Sequence, residues 1–396
     1  MQVPLRGSSA AFRGRKVKLK VFLRSAFEGP RLPSPWNSQE PIREELFGVE
    51  RLEDHARSLA VAQIVSSRKA RGRLLANRLI DNRAALLAGY RSAVKAINEG
   101  RPITPAAEWL VDNYHLVEKQ IHTIQSDLTP GYYRQLPKLA VGPFAGYPRV
   151  FGIAWAFVAH SDSRFDPETL VRFVRAYQEV QPLTIGELWA VSITLRIVLI
   201  ENLGRLAQQI TKSRAERQIA DGLADRLLGA GGKPAEAANV VLVAHERQPL
   251  SQAFAVQLVH RLRDQDPKIT PAVTWLDKRL AIQDATADSA VRDVHRQQGA
   301  ANVSVRNVIT SLRRISDADW KQVFERLSLV DEVLAADSGF ESMDFPTRTL
   351  YRSAIEELSR GADREELDIA RAAVLAARQA AADAPATERD RRGDTG

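Results

Sequence analysis

LTIGELWAVSITLRIVLIENL, residues 183–203, decides the fold. Thr184 and Glu187 have the spacing of a capping box, in which each side chain satisfies a backbone N–H of the other, so a helix opens here. The run LWAVSITLRIVLI (188–200) that follows is the most apolar in the chain, bounded by Glu187 and Glu201 and interrupted by Arg196. A bilayer span needs about 20 apolar residues. The stretch falls short of that and is predicted to be a buried helix of a folded domain, and no transmembrane segment is expected.

Helix-start signals recur on both sides. In ITPAAEWLVDNYHLVEKQIHTI (103–124) Thr104 can cap, Pro105 takes the first helical position, and Leu110, Tyr114, Val117, Ile121 and Ile124 fall on one face. Asp166-Pro167-Glu168 opens another helix in the same way, continued by Leu170, Phe173, Val174 and Tyr177. Ser316 to Asp319 resembles a capping box ahead of Trp320, Val323, Phe324 and Leu327. Alternating strand patterns are scarce. The chain is predicted to be mainly α, a multi-helix array or bundle. ITPAAEWL (103–110) echoes ITPAVTWL (269–276), which fits two helices solving the same start problem better than a duplication.

Breaks in composition suggest the organisation. GPRLPSPWNSQEP (29–41), LLGAGGKPAE (227–236) and DSGFESMDFPT (337–347) are rich in Pro, Gly or Ser. The expected division is a disordered basic arm over 1–40, a first helical subdomain over 41–230, a second over 231–380 and a disordered tail over 381–396. With no cysteine among 396 residues, disulfides, thiolate catalysis and zinc-thiolate or iron-sulfur sites are excluded. The net charge of +8 gathers in the arm, where Arg6, Arg13, Arg15, Lys16, Lys18, Lys20 and Arg24 face no acid within the first 25 residues. Such an arm reads first as a solvated tail and could also lie on an anionic membrane surface or contact nucleic acid nonspecifically; no specific nucleic acid partner is expected.

Chemical motifs are sparse. The seven histidines show no HExxH spacing, and His115 and His122, seven apart, have no third ligand by motif, so no metal site is expected in this chain. No GxxxxGK[ST] loop, GxSxG elbow or GxGxxG fingerprint occurs. Asp264-Gln265-Asp266 and Asp317-Ala318-Asp319 fall where helices end or begin. No catalytic residue is assigned. The remaining candidate is YYRQLPKLAVGPFAGYPRV (132–150), which carries four aromatics, three cations and no acid. Tyr132, Tyr133 and Tyr147 could contact or carry a sugar chain, and Arg134, Lys138 and Arg149 could hold phosphate or orient carboxylates. The competing reading is a packed connector, broken by prolines 137, 143 and 148 and turned at Gly142 and Gly146.

GYYRQLPKLAVGPFAGYPRVFGIAWAFVAHSDSRFDPETLVRFVRAYQEVQPLTIGELWAVSITLRIVLIENL (131–203) carries a resemblance, together with PIREELFGVERLEDHARSLAVAQ (41–63), LIDNRAALLAGYRSAVKAI (79–97), AFAVQLVHRLRDQDPKITPAVTWL (253–276), AANVSVRNVITSLRRISDADW (300–320) and MDFPTRTLYRSAIEELSRG (343–361). These blocks resemble the N-terminal region of bacterial cyclic β-1,2-glucan synthases, from residue 33 to the end of the chain. The resemblance implies a segment of a very large inner-membrane enzyme, on the cytoplasmic side, whose partners are a glycosyltransferase module using UDP-glucose and a divalent metal, and a phosphorylase-like module. Both modules are expected beyond this chain, which would then be truncated before them and hold no cofactor of its own. In such enzymes the growing β-1,2-glucan is carried on protein, and a tyrosine hydroxyl could accept it once a base takes its proton. Tyr132, Tyr133 and Tyr147 have the most mobile-looking surroundings; Tyr90, Tyr114, Tyr177 and Tyr351 lie on helix patterns. The alternatives are a stand-alone helical binding or scaffold protein with a basic arm, and a vestigial truncated product.

Overall fold

A computed structural model describes residues 38–66, 75–230, 234–246, 250–263, 270–336, 339–362 and 364–383. Arg13, Arg15, Lys16, Lys18 and Lys20 of the basic arm, Asp264-Gln265-Asp266 and the chain after Asp383 lie outside the described residues. Among the described residues the protein is built of α-helices with short 3-10 turns and two isolated β-bridges, and no strand. The mainly α reading holds.

The helices, in order, are α1 (Val49–Ala62), α2 (Leu75–Asn98), α3 (Pro105–Asp112), α4 (Tyr114–Asp127), α5 (Pro130–Gln135), α6 (Arg149–His160), α7 (Pro167–Gln178), α8 (Ile185–Leu228), α9 (Ala238–Val241), α10 (Gln252–Leu262), α11 (Thr270–Ala281), α12 (Ala287–Asp317), α13 (Trp320–Leu327), α14 (Leu329–Ala335), α15 (Phe345–Ala362) and α16 (Glu366–Asp383). Several start where the sequence places them. Thr104 accepts from the Ala107 amide, Asp166 from the Thr169 amide, and the Thr184–Glu187 capping box is formed in both directions. These bonds satisfy amides that have no partner within their helix.

Two start signals resolve differently. The amphipathic face over 103–124 is divided between α3 and α4, because Asn113 leaves helical geometry and its side-chain amide bonds the Trp109 carbonyl at 2.9 Å. The cap ahead of α13 is Asp319 alone, accepting from the Lys321 and Gln322 amides, while Ser316 sits inside α12 and donates to the Leu312 carbonyl. Asp317 and Asp319 are thus a helix end and a cap.

α8 organises the molecule. Its 44 residues pass first through a large apolar cluster, where almost every side chain from Ile185 to Ala207 is buried, including the stretch 188–200. α6 and α7 pack there, with Phe157 and Phe173 rings 5.5 Å apart, as do α2 and the second half of α12. Burial of each such side chain is worth about 1.5–3 kcal/mol. Beyond Ala207 only a stripe of Ala220, Leu223, Ala224 and Leu227 is buried, and it packs with Phe254 and Leu258 of α10, Leu276 and Leu280 of α11 and Ala290 of α12 in a smaller cluster. α12 runs through both clusters as well, contributing Val308, Ile309 and Leu312 to the larger one. Ile355 of α15 and Ala370 of α16 also join the larger cluster, so segments on both sides of residue 230 build it.

Polar groups inside the larger cluster are matched. Glu201 receives Arg78, Asn82 and Arg205 at 2.5, 2.7 and 2.8 Å. The turn after α6 places Asp162 and Ser163 in the left-handed region, at φ 48° and 61°. Ser304 and Asn307 donate to Asp162, Asn202 donates to the Ser163 hydroxyl, and Ser311 donates to the Ser163 carbonyl. Those bonds tie the strained turn to α8 and α12 and offset its backbone cost. No helix among the described residues is long and apolar enough to cross a membrane.

Candidate functional site

The stretch 132–150 forms an ordered crossing over the entry to α8. Thr129 and Pro130 start the short helix α5, which stops at Leu136 because Pro137 follows. Lys138 turns back over this end and donates to the carbonyls of Tyr133 and Leu136 at 3.0 and 2.9 Å, with its ammonium 5.1 Å from the Tyr133 ring centre. It thereby covers carbonyls that the helix leaves unpaired, at the end favoured by a cation. Burial holds its pKa below the ordinary lysine value.

From Leu139 the chain loops out and returns at Tyr147, closed by the Leu139 amide on the Tyr147 carbonyl at 3.0 Å and the Gly146 amide on the Leu139 carbonyl at 2.8 Å. Gly142 and Gly146 take φ of 84° and 85°, values that side chains disfavour. Phe144 then rests against Phe151 and Trp155 of α6.

Below the crossing lies a buried polar junction. Arg149, the first residue of α6, clasps the Glu187 carboxylate and also donates to Gln181 Oε1 and the Pro182 carbonyl, both at 3.1 Å. Tyr132 donates its hydroxyl to the Gly186 carbonyl at 2.6 Å. From α16, Glu366 accepts the Ile185 amide at 2.7 Å, so a carboxylate distant in sequence caps the start of α8. Negative charge there is favoured by the helix dipole. Burial, reinforced by Glu356 and Glu187, nonetheless pushes the Glu366 carboxyl up to about 7. Burial raises Glu356 as well.

Of the six predicted contact residues, the structure joins only Tyr132 and Arg149 to this junction. Tyr133 and Lys138 pair with each other at the end of α5, and Arg134 stays exposed, its Nε on the Pro130 carbonyl. The expectation of mobile surroundings for the tyrosines is corrected. Tyr133 and Tyr147 are each 5% exposed, drawn into the larger cluster because the crossing packs its aromatics inward, and Tyr132 is half-buried. Burial also raises the pKa of Tyr132 and Tyr133, which makes either phenol harder to ionise. Tyr351, 39% exposed, is the tyrosine open to solvent among the described residues.

Sequence reasoning identified Glu187 only as a cap, and it missed Glu366 and Glu356. No local signal links residues so far apart. Chemically the junction is an internal clamp: its strong donors and acceptors are aimed at one another. Among the described residues no group of three or more His, Asp or Glu is arranged to hold a metal ion. His115 and His122 are both exposed on α4.

At this junction the charged groups are turned on one another within an all-helical body. No family model matches the chain. Over 294 residues, 74% of its length, it is 35% identical to the cyclic beta-(1,2)-glucan synthase NdvB of Rhizobium meliloti. The chain is thus similar to the N-terminal region of a large synthase of cyclic β-glucan, as the blocks at 41–63 and 131–203 indicate. The aligned share falls short of the span from residue 33 to the end expected from the blocks. The chain spans 10% of the length of that relative.

Proposed function

We propose that this chain serves as the N-terminal helical segment of a cyclic β-1,2-glucan synthase, supporting synthesis of cyclic glucan from UDP-glucose by the complete protein without catalysing it alone. The observation that carries the reading is the similarity over 294 residues to a protein named for that activity. In this reading the segment lies on the cytoplasmic side of the inner membrane and contacts the transferase and phosphorylase-like modules. A clamp such as Arg149–Glu187–Glu366, which joins α6, α8 and α16, suits a body that must hold its shape while other modules work.

The test uses a full-length synthase whose matching N-terminal segment is replaced by this chain, compared with one lacking the segment. Cyclic glucan formed from labelled UDP-glucose by isolated membranes is measured per amount of inserted enzyme. The chimera is expected to make glucan and the deletion to lose most of it. Undiminished synthesis by the deletion would reject a supporting role. UDP release by the purified chain would reject its being non-catalytic.

A further inference from the structure

The two apolar clusters leave a cleft where α8 and α12 pass from one to the other, and its charge is unusual. Arg214 and Arg217 of α8 and Arg101, just before α3, converge on a cavity of about 430 Å3. Arg101 pairs with Glu99. Arg214 and Arg217 are half-buried, and among the described residues neither has an ion pair or a hydrogen bond. The one carboxylate lining this cavity, Asp221, is already engaged by Gln257 at 2.8 Å and Arg261 at 3.1 Å. Burial, then repulsion from Arg101 and Arg217, holds Arg214 below its ordinary pKa; burial does the same to Arg217, against the attraction of Asp221.

Folding that buries two guanidinium groups part-way, with only the already engaged Asp221 carboxylate near Arg217 and none paired to Arg214, gives up free energy that an anion would restore. Guanidinium forks bind a phosphate through paired N–H donors. Around them stand Gln218, Gln298 and Thr104, neutral groups that both give and accept hydrogen bonds, above an apolar floor at Ile210 and Ala107. An adjoining cavity of about 280 Å3 shares Thr104, Ile210, Arg217 and Gln298 and adds Gln297 and Asn302, with Glu216 and Lys212 of opposite charge also on its wall. The pair is sized for a small molecule.

We propose that this cleft binds a phosphate monoester carried on a small polyol, its phosphate held by Arg101, Arg214 and Arg217 and its hydroxyls by the surrounding amides. The site lies toward the far half of α8 from the Arg149 clamp, and its occupancy does not depend on the role assigned to the whole chain.

Isothermal titration of the full chain with ribose 5-phosphate, inorganic phosphate and ribose tests this. Ribose 5-phosphate is expected to bind, phosphate about tenfold more weakly and ribose not measurably, and R214Q/R217Q should weaken the phosphate ester by about tenfold or more. The unliganded double variant should melt no lower than the parent, since like-charge repulsion is relieved. If it fails to fold, R214K/R217K supplies the comparison: charge is kept, the fork is lost, and affinity should still fall. No binding of ribose 5-phosphate overturns the proposal, as does binding unchanged in these variants. It is also overturned if binding is lost when Arg13, Arg15, Lys16, Lys18 and Lys20 become Gln but persists in R214Q/R217Q. Arg214- and Arg217-dependent capture by phosphatidylglycerol vesicles without ribose 5-phosphate binding would assign the phosphate to a lipid headgroup and reject the soluble ligand.

Discussion

Arg149 and Glu187 meet as a bidentate ion pair inside the protein, Nε to Oε1 at 2.9 Å and Nη2 to Oε2 at 2.5 Å. The same Glu187 closes the capping box with Thr184. One carboxylate therefore starts α8 and fixes α6 against it. Glu187 is fully buried, so the loss of its partner leaves a charge with nowhere to go. Arg149→Met is expected to cost about 3–5 kcal/mol in urea unfolding. Adding Glu187→Gln should recover part of this, a coupling that a double-mutant cycle measures; strictly additive losses would contradict it.

The Glu366 carboxyl, pushed up to about 7, makes stability depend on pH in a definite direction. Between the ordinary carboxyl range and pH 7 the folded state holds the proton more tightly than the unfolded chain. The group's contribution is therefore full below that range and is lost as pH rises through 7. Glu366→Gln keeps an oxygen for the Ile185 amide but cannot ionise. The parent should lose about 2 kcal/mol relative to this variant between roughly pH 5 and 8, and a flat difference would mean Glu366 titrates normally. Exposed carboxylates held low by arginine, such as Glu168 and Glu179, act in the opposite sense and at lower pH.

Gly204 lets α2 approach α8 closely. A Cβ there would sit 2.9 Å from Asn82 Oδ1 and 3.3 Å from its Cγ, and Asn82 is tied to Glu201. In an exposed helix Gly→Ala stabilises by about 1 kcal/mol. Here Gly204→Ala is expected to destabilise by about 1–3 kcal/mol, because Asn82 cannot retreat without leaving its bond. Thermal unfolding decides the sign.

Asn202 holds the left-handed turn after α6. It accepts the Ile42 amide at 2.7 Å and donates to the Ser163 hydroxyl at 2.8 Å, fully buried. Asn202→Ala strands both partners and should cost about 2–3 kcal/mol. Hydrogen exchange at Ile42 is expected to rise above the increase caused by a matched loss of global stability.

Caps were legible in the sequence because they depend on neighbours three residues apart: Thr104, Asp166 and Thr184 each act where their spacing places them. The division at Asn113 was not, since an apolar face continues across it and only the side chain's bond to the Trp109 carbonyl marks the bend. The crossing at 132–150 was half legible. Pro137, Gly142 and Gly146 announced its turns, whereas the fate of its tyrosines depended on α6 and on Lys138. The Arg149–Glu187–Glu366 clamp and the arginine cleft join residues remote in sequence, and their meaning lies in which charges find partners, a property of the fold alone.

The unbroken run of α8 through both clusters couples them by phase. Each residue of an α-helix advances about 1.5 Å and turns about 100°. One residue inserted between Ala207, where the larger cluster ends, and Arg214 would swing the smaller cluster a quarter-turn or more about the axis, pulling α12 out of register with one cluster or the other. Arg214 and Arg217 would then face away from Arg101. In this protein the number of residues in a helix acts as a gear setting, and insertions that a surface loop would absorb are forbidden along its middle.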